Sequence, residues 1–232
     1  MMGYGVVAKE FRIFPFYQLK AIKLSLQPEH DEWYDARMQE FSKFNTADAD
    51  WVMLGDSLIE YGSWARLLPN IKIANRGIAG DDTRGVLSRV HLIADMRAPH
   101  IMMMLGINDI YDDVHIEDTM KNYRRIIHAL RASSETTHIY IISTLYVGAD
   151  DIRLIPKIKH LNRFLKDLAR SLPRVSYIDL NQVLSDQNVL KNIYTSDGIH
   201  LNKRGYQAWI CELFSVEAIK LAEKPKYCQG SL

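Results

Sequence analysis

Beyond residue 48 the chain alternates between short, unbroken apolar runs and longer segments whose apolar positions recur every three or four residues. The runs fall at Trp51–Leu54, Ile71–Ala74, Ile101–Leu105, Ile139–Ser143 and Val175–Asp179. Each is strand-sized and largely apolar at consecutive positions, which suits a strand buried on both faces. Between the runs lie amphipathic stripes: Tyr123, Ile126, Ile127 and Leu130 on one, Ile158, Leu161, Leu165 and Leu168 on another. No two-residue hairpin signal separates the runs, and the spacers are long enough for crossover helices. The pattern predicts an α/β fold, a parallel sheet covered on both faces, closed by a last helix from Lys203 to about Leu221. Upstream, Trp33, Met38, Phe41 and Phe44 predict a helix within Pro28–Phe44, and the segment before it shows no clean period. With no repeat or linker, the expected organisation is an N-terminal arm and helix (1–47) packed on one domain (48–232).

Charge and composition narrow the function classes. The 29 basic residues are balanced by 28 acidic ones, so no global field recruits nucleic acid or an anionic membrane. No stretch is long and apolar enough to span a bilayer, and the first twenty residues are broken by Lys9, Glu10, Arg12 and Pro15. The expectation is a cytoplasmic protein without stable membrane insertion. Two cysteines are too few for a disulfide framework, and Cys211, inside an apolar helical pattern, reads as a small buried hydrophobe. Oligomeric state is not legible.

In open α/β sheets ligands bind beyond the carboxyl ends of the strands. Every unusual motif falls at such an end or carries a matching base. "GDS" (Gly55–Ser57) follows the first run, "NRGIAGDDT" the second and "GIND" (Gly106–Asp109) the third. Ser57 is placed either to cap a helix or to act as a nucleophile. Ile59 stands where a Gly-x-Ser-x-Gly elbow has its second glycine, so the α/β-hydrolase turn is not indicated. Near the far end, "SDGIHLNKRG" sets Asp197 three residues before His200 around Gly198, a spacing at which one turn brings carboxylate against imidazole. Gly77 and Gly80 let backbone approach a ligand, and no lysine follows as a P-loop would require. The Asn108 amide carries two donors.

Acyl-ester chemistry unites these elements. Ser57 would attack, His200 would move the proton, and the N–H groups of Ser57 and Gly80 with the Asn108 amide would hold the oxyanion. Asp56 is expected to shape its turn through backbone hydrogen bonds. Asp81, Asp82 and Arg84 either cap the next helix or line a substrate cleft, which would also take in Asp56 and Ile107. Asp109, Asp112, Asp113, Glu117 and Asp118 form an acidic stretch around His115 that fits no calcium loop and reads as a solvated helix approach.

The four blocks "GDSL", "GIAGDD", "GIND" and "DGIH", in this order between Trp51 and Gly205, resemble those of the SGNH hydrolases, also called the GDSL esterase/lipase family. The resemblance implies a flavodoxin-like three-layer α/β/α sandwich with a five-stranded parallel sheet, a Ser57–His200–Asp197 triad, the oxyanion hole above, and neither metal nor organic cofactor. It covers nothing before about Asp48. The activity expected is hydrolysis of short-chain carboxylic esters, O-acetyl groups on small molecules or saccharides among them. Acyl transfer, lysophospholipid hydrolysis and a non-catalytic binding subunit are the alternatives.

Overall fold

The structure is a computed structural model that describes residues 32–43, 48–216, 218 and 224–229. The arm before the first helix, Phe44 and Leu221 lie outside the described residues. Five strands form one parallel sheet: β1 (Trp51–Gly55), β2 (Ile73–Gly77), β3 (His100–Met104), β4 (His138–Ile142) and β5 (Val175–Ile178), in the order β2-β1-β3-β4-β5. The consecutive Met102, Met103 and Met104 are all buried, on alternating sides of the sheet, as a strand covered on both faces requires.

One face packs against α4 (Thr83–Ala94), α6 (Ile116–Ser133) and α7 (Ile155–Ser171), whose buried Val86, Ile126 and Leu161 meet Leu54, Ile101 and Ile139. The other packs against α9 (Lys203–Ser215) through Trp209 and Leu213, joined by the one-turn helices α2 (Ser57–Glu60), α3 (Trp64–Leu67) and α8 (Asn181–Leu184). Helix α1 (Glu32–Lys43) precedes the sheet, and α5 (Ile107–Tyr111) follows β3. The architecture is the three-layer α/β/α sandwich expected.

Three local expectations are corrected. β2 runs to Gly77 rather than stopping at Ala74, because its polar residues are satisfied in place: Asn75 Nδ2 donates to Ile59 O and Glu60 O at 3.1 and 3.0 Å. Beyond the last run, a two-residue hairpin joins β6 (Ser185–Asp186) and β7 (Val189–Leu190), with Gln187 and Asn188 at φ 46° and 66°. Helix α9 ends at Ser215 instead of reaching Leu221. Cys211 is no free hydrophobe, since it pairs with Cys228 and ties α9 to the turn Lys226–Cys228. Disulfides persist in oxidising surroundings, so this pairing does not follow from a cytoplasmic reading. Among the described residues no helix is long and apolar enough to cross a membrane.

Candidate active site

The sheet order makes β1 the strand where the connections reverse direction, and its carboxyl end is flanked by those of β2 and β3. The three loops that bear Ser57, Gly80 and Asn108 therefore leave adjacent strands at one edge. β1 ends at Gly55, where a Cβ would meet Met104 O at 2.3 Å, so only glycine lets the strands stay this close at the turn. Asp56, not Ser57, is the N-cap of α2: its Oδ1 accepts from Leu58 N at 2.9 Å. Ser57 is thus the first helical residue, with its hydroxyl left out of capping. Helix α2 is a single turn, so what it offers a developing anion is its first N–H groups rather than a long macrodipole.

Ser57 Oγ lies 3.0 Å from His200 Nε2, and His200 Nδ1 lies 2.6 Å from Asp197 Oδ2. Asp197 also templates the turn that bears His200. Its Oδ1 accepts from Ile199 N (2.9 Å) and His200 N (2.7 Å), while Gly198 takes φ 81° between them. Thr195 Oγ1 donates to His200 O, and Asn202 caps α9 immediately after. Burial raises the Asp197 pKa, but the bonds from the His200 ring and from the Ile199 and His200 N–H groups outweigh it, leaving the carboxylate far below its ordinary range.

Gly80 adopts φ 81° at the exposed tip of the loop after β2. Asn108 is buried in α5, and its Nδ2 donates to Asp81 O at 2.7 Å, which joins the third loop to the second. Asp56, Asp81, Asp82 and Ile107, which the sequence offers as cleft residues, are all buried. Asp82 caps α4 by accepting from Arg84 N and Gly85 N. Asp81 meets Arg89, itself 1% exposed, which reaches it through Nε (2.9 Å) and Nη2 (2.8 Å) and also donates to Arg76 O and Gly55 O. One guanidinium thus fastens the ends of β1 and β2 to the residue after Gly80. Burial pushes the Asp81 carboxyl up to about 6 against the lowering effect of Arg89, and the Asp56 carboxyl up to about 7 against Leu58 N–H and His200.

Sequence reasoning overlooked Arg89 and misread Asp109. Asp109 belongs to no solvated approach: it is fully buried and accepts from Thr83 N (3.0 Å), Thr83 Oγ1 (2.5 Å) and Thr119 Oγ1 (3.2 Å), bracing α4 and α6 under the site. Helix α6 starts at Ile116 after His115. The signal for Arg89 was its place on the apolar Val86–Val90–Ile93 face of α4. Beside the triad-like chain, Tyr61 is 54% exposed with its ring centroid 5.4 Å from that of His200. A cavity of about 370 Å³ opens next to Asp197, lined by Gly148, Ala149, Asp150, Asp151, Asn192 and Ser196. No cluster of residues able to hold a metal occurs among the described residues.

Comparison with known proteins agrees with this fold. The model of the GDSL-like Lipase/Acylhydrolase family matches residues 53–208. A Streptococcus pneumonia structure described provisionally as a platelet activating factor is 25% identical with a TM-score of 0.75, over 86% of this chain and 97% of that one. A GDSL-like lipase from Bacteroides thetaiotaomicron superposes with a TM-score of 0.66 at 20% identity, covering 78% of this chain and 95% of that one. A mutant of an acetyl-xylooligosaccharide esterase from Geobacillus does so at 0.58 and 15%, covering 75% and 96%. A curated relative, the N-acylneuraminate cytidylyltransferase of Escherichia coli O18:K1:H7, is 27% identical over 163 residues, 68% of this chain. The match spans only 38% of that relative's length.

Proposed function

From the premise that this chain belongs to the GDSL-like lipase/acylhydrolase family and is an acyl-ester hydrolase, we propose that it is a serine esterase working through Ser57, His200 and Asp197. The observation that carries the reading is the unbroken chain Ser57 Oγ–His200 Nε2–Asp197, at 3.0 and 2.6 Å. Ser57 Oγ attacks the ester carbonyl as His200 Nε2 takes its proton, and Asp197 stabilises the imidazolium. The tetrahedral oxyanion is held by the N–H groups of Ser57 and Gly80 and by the Asn108 amide. Collapse breaks the carbonyl–alkoxy bond, and His200 returns the proton to the departing alcohol. Water, deprotonated by the same imidazole, then attacks the acyl-serine, and the acid leaves as Ser57 recovers its proton.

The substrate we assign is a short acyl ester, such as an acetate, of a polar, polyhydroxylated alcohol. The cavity beside Asp197 is lined by small, amide, hydroxyl and carboxylate residues rather than by long apolar ones, which suits hydroxyl groups better than a fatty chain. Tyr61, exposed beside the residue that protonates the leaving alcohol, offers a flat face for a sugar ring. The similarity to an acetyl-xylooligosaccharide esterase is in keeping with this class. The test is hydrolysis of p-nitrophenyl esters of increasing acyl length and of acetylated saccharides by wild type and Ser57→Ala. The expected outcome is preference for acetyl, release of acetate from the saccharides, and loss of about a millionfold in kcat in the variant. Equal rates for the two proteins would reject the mechanism, and preference for long acyl chains would reject the substrate class.

A further inference from the structure

Helix α1 lies outside the segment matched by the family model, yet one of its side chains reaches the loop that ends in Gly80. Arg37 Nη2 donates to Gly77 O at 3.0 Å, and its Nε faces Glu60 Oε1 at 3.6 Å. The other oxygen of Glu60 accepts from Ala79 N at 2.5 Å, one residue before Gly80. Both side chains are largely buried, at 12% and 7% exposure. Glu60 is the last residue of the single turn that starts with Ser57, and its own carbonyl is fixed by Asn75. Gly77 is pressed so close to this turn that a Cβ would stand 2.3 Å from Glu60 N. The guanidinium is further fixed over the Phe41 ring at 4.9 Å, with Arg76 at 4.8 Å from the same ring.

We propose that Arg37 is a positioning residue for the oxyanion hole, acting through Glu60 on the Gly77–Gly80 loop. The inference rests on the esterase reading above. Two physical effects combine. The Glu60 carboxylate spans the gap between the nucleophile turn and the donor loop, so its placement sets how far Gly80 N–H stands from Ser57. A buried carboxylate next to a donor loop also opposes negative charge on the substrate oxygen, and the adjacent guanidinium, which also pairs with the more exposed Glu40, offsets part of that field. Arg37 therefore serves the transition state more than the ground state.

The experiment is steady-state hydrolysis of p-nitrophenyl acetate by wild type, Arg37→Ala, Arg37→Lys, Glu60→Gln and the Arg37→Ala/Glu60→Gln double variant. It is paired with inhibition by a boronic acid, which mimics the tetrahedral oxyanion, and with thermal unfolding. Arg37→Ala is expected to lower kcat about 10- to 100-fold with KM changed less than about threefold, and to weaken boronate inhibition in parallel. Arg37→Lys should recover part of the loss, because the charge returns without the planar guanidinium that reaches Gly77 O and Glu60 together. Removing the Glu60 charge should make the double variant more active than Arg37→Ala alone. If Arg37→Ala lowers only the unfolding temperature, or raises KM while kcat and boronate affinity hold, the proposal is overturned. Activity that survives in Ser57→Ala would instead defeat the esterase reading itself, a separate outcome.

Discussion

Asp56 shows how one residue beside Ser57 serves structure with a titration as a consequence. Its buried carboxyl caps α2, and the cost of ionising it there raises its pKa to about 7. The unfolded chain releases that proton near the ordinary value of 3.8, so between about pH 4 and 7 the folded protein binds more protons than the unfolded one. Stability should therefore fall as pH rises through this window, then level off. Asp56→Asn keeps the acceptor for Leu58 N–H but has no charge to form, so it should flatten the decline and gain on the order of 2 kcal/mol over wild type at about pH 8. Thermal midpoints of both proteins from about pH 5 to 8 check this; parallel curves would contradict it. Ser57, Asp197 and His200 were legible because each sits in a short motif whose partner lies in the same motif or in another at a strand end. Arg89, Asp109 and Arg37 were not. A charged residue on a helix reads as solvated until the fold supplies its partner, and these partners lie 8 to 40 residues away.

At the scale of elements, apolar runs located all five strands, yet β2 was displaced toward its amino end because Asn75 and Arg76 look like loop residues. Their hydrogen bonds to α2 and to their own strand make them strand residues, and that information is tertiary. The one-turn helices α3 and α8 were invisible to periodicity, being shorter than the period needs. The Cys211–Cys228 pairing was missed for a related reason: two cysteines form no pattern, and only the return of the chain onto α9 brings them together. That return is anchored again by Tyr227 Oη, which donates to Leu67 O at 2.9 Å. With a sequence separation of 17 between the cysteines, the bridge should contribute about 3 kcal/mol by restricting the unfolded chain. Cys228→Ser should lose about that much in chemical denaturation while retaining kcat, since the bridge lies off the catalytic chain. A midpoint unchanged from the oxidised wild type would show that the bridge contributes nothing.

For the whole molecule, topology explains why a site can be read from separated motifs. The order β2-β1-β3-β4-β5 puts the carboxyl ends of β2, β1 and β3 side by side, so loops far apart in the chain share one edge. His200 arrives just before α9, which is held over the Ser57 turn by Tyr206 Oη donating to Leu58 O at 2.9 Å. Strand ends and residue types gave the parts, but not the supporting charges beneath them, nor the contact by which Arg37 of helix α1 reaches Gly77 O. The central claim is that Ser57 is a nucleophile activated by His200. It is tested most directly by treating the protein with a fluorophosphonate and locating the adduct by peptide mass spectrometry. The account predicts one adduct per chain, on Ser57, with labelling strongly slowed in His200→Ala. Labelling on another residue, or equal labelling in the absence of the imidazole, would contradict it.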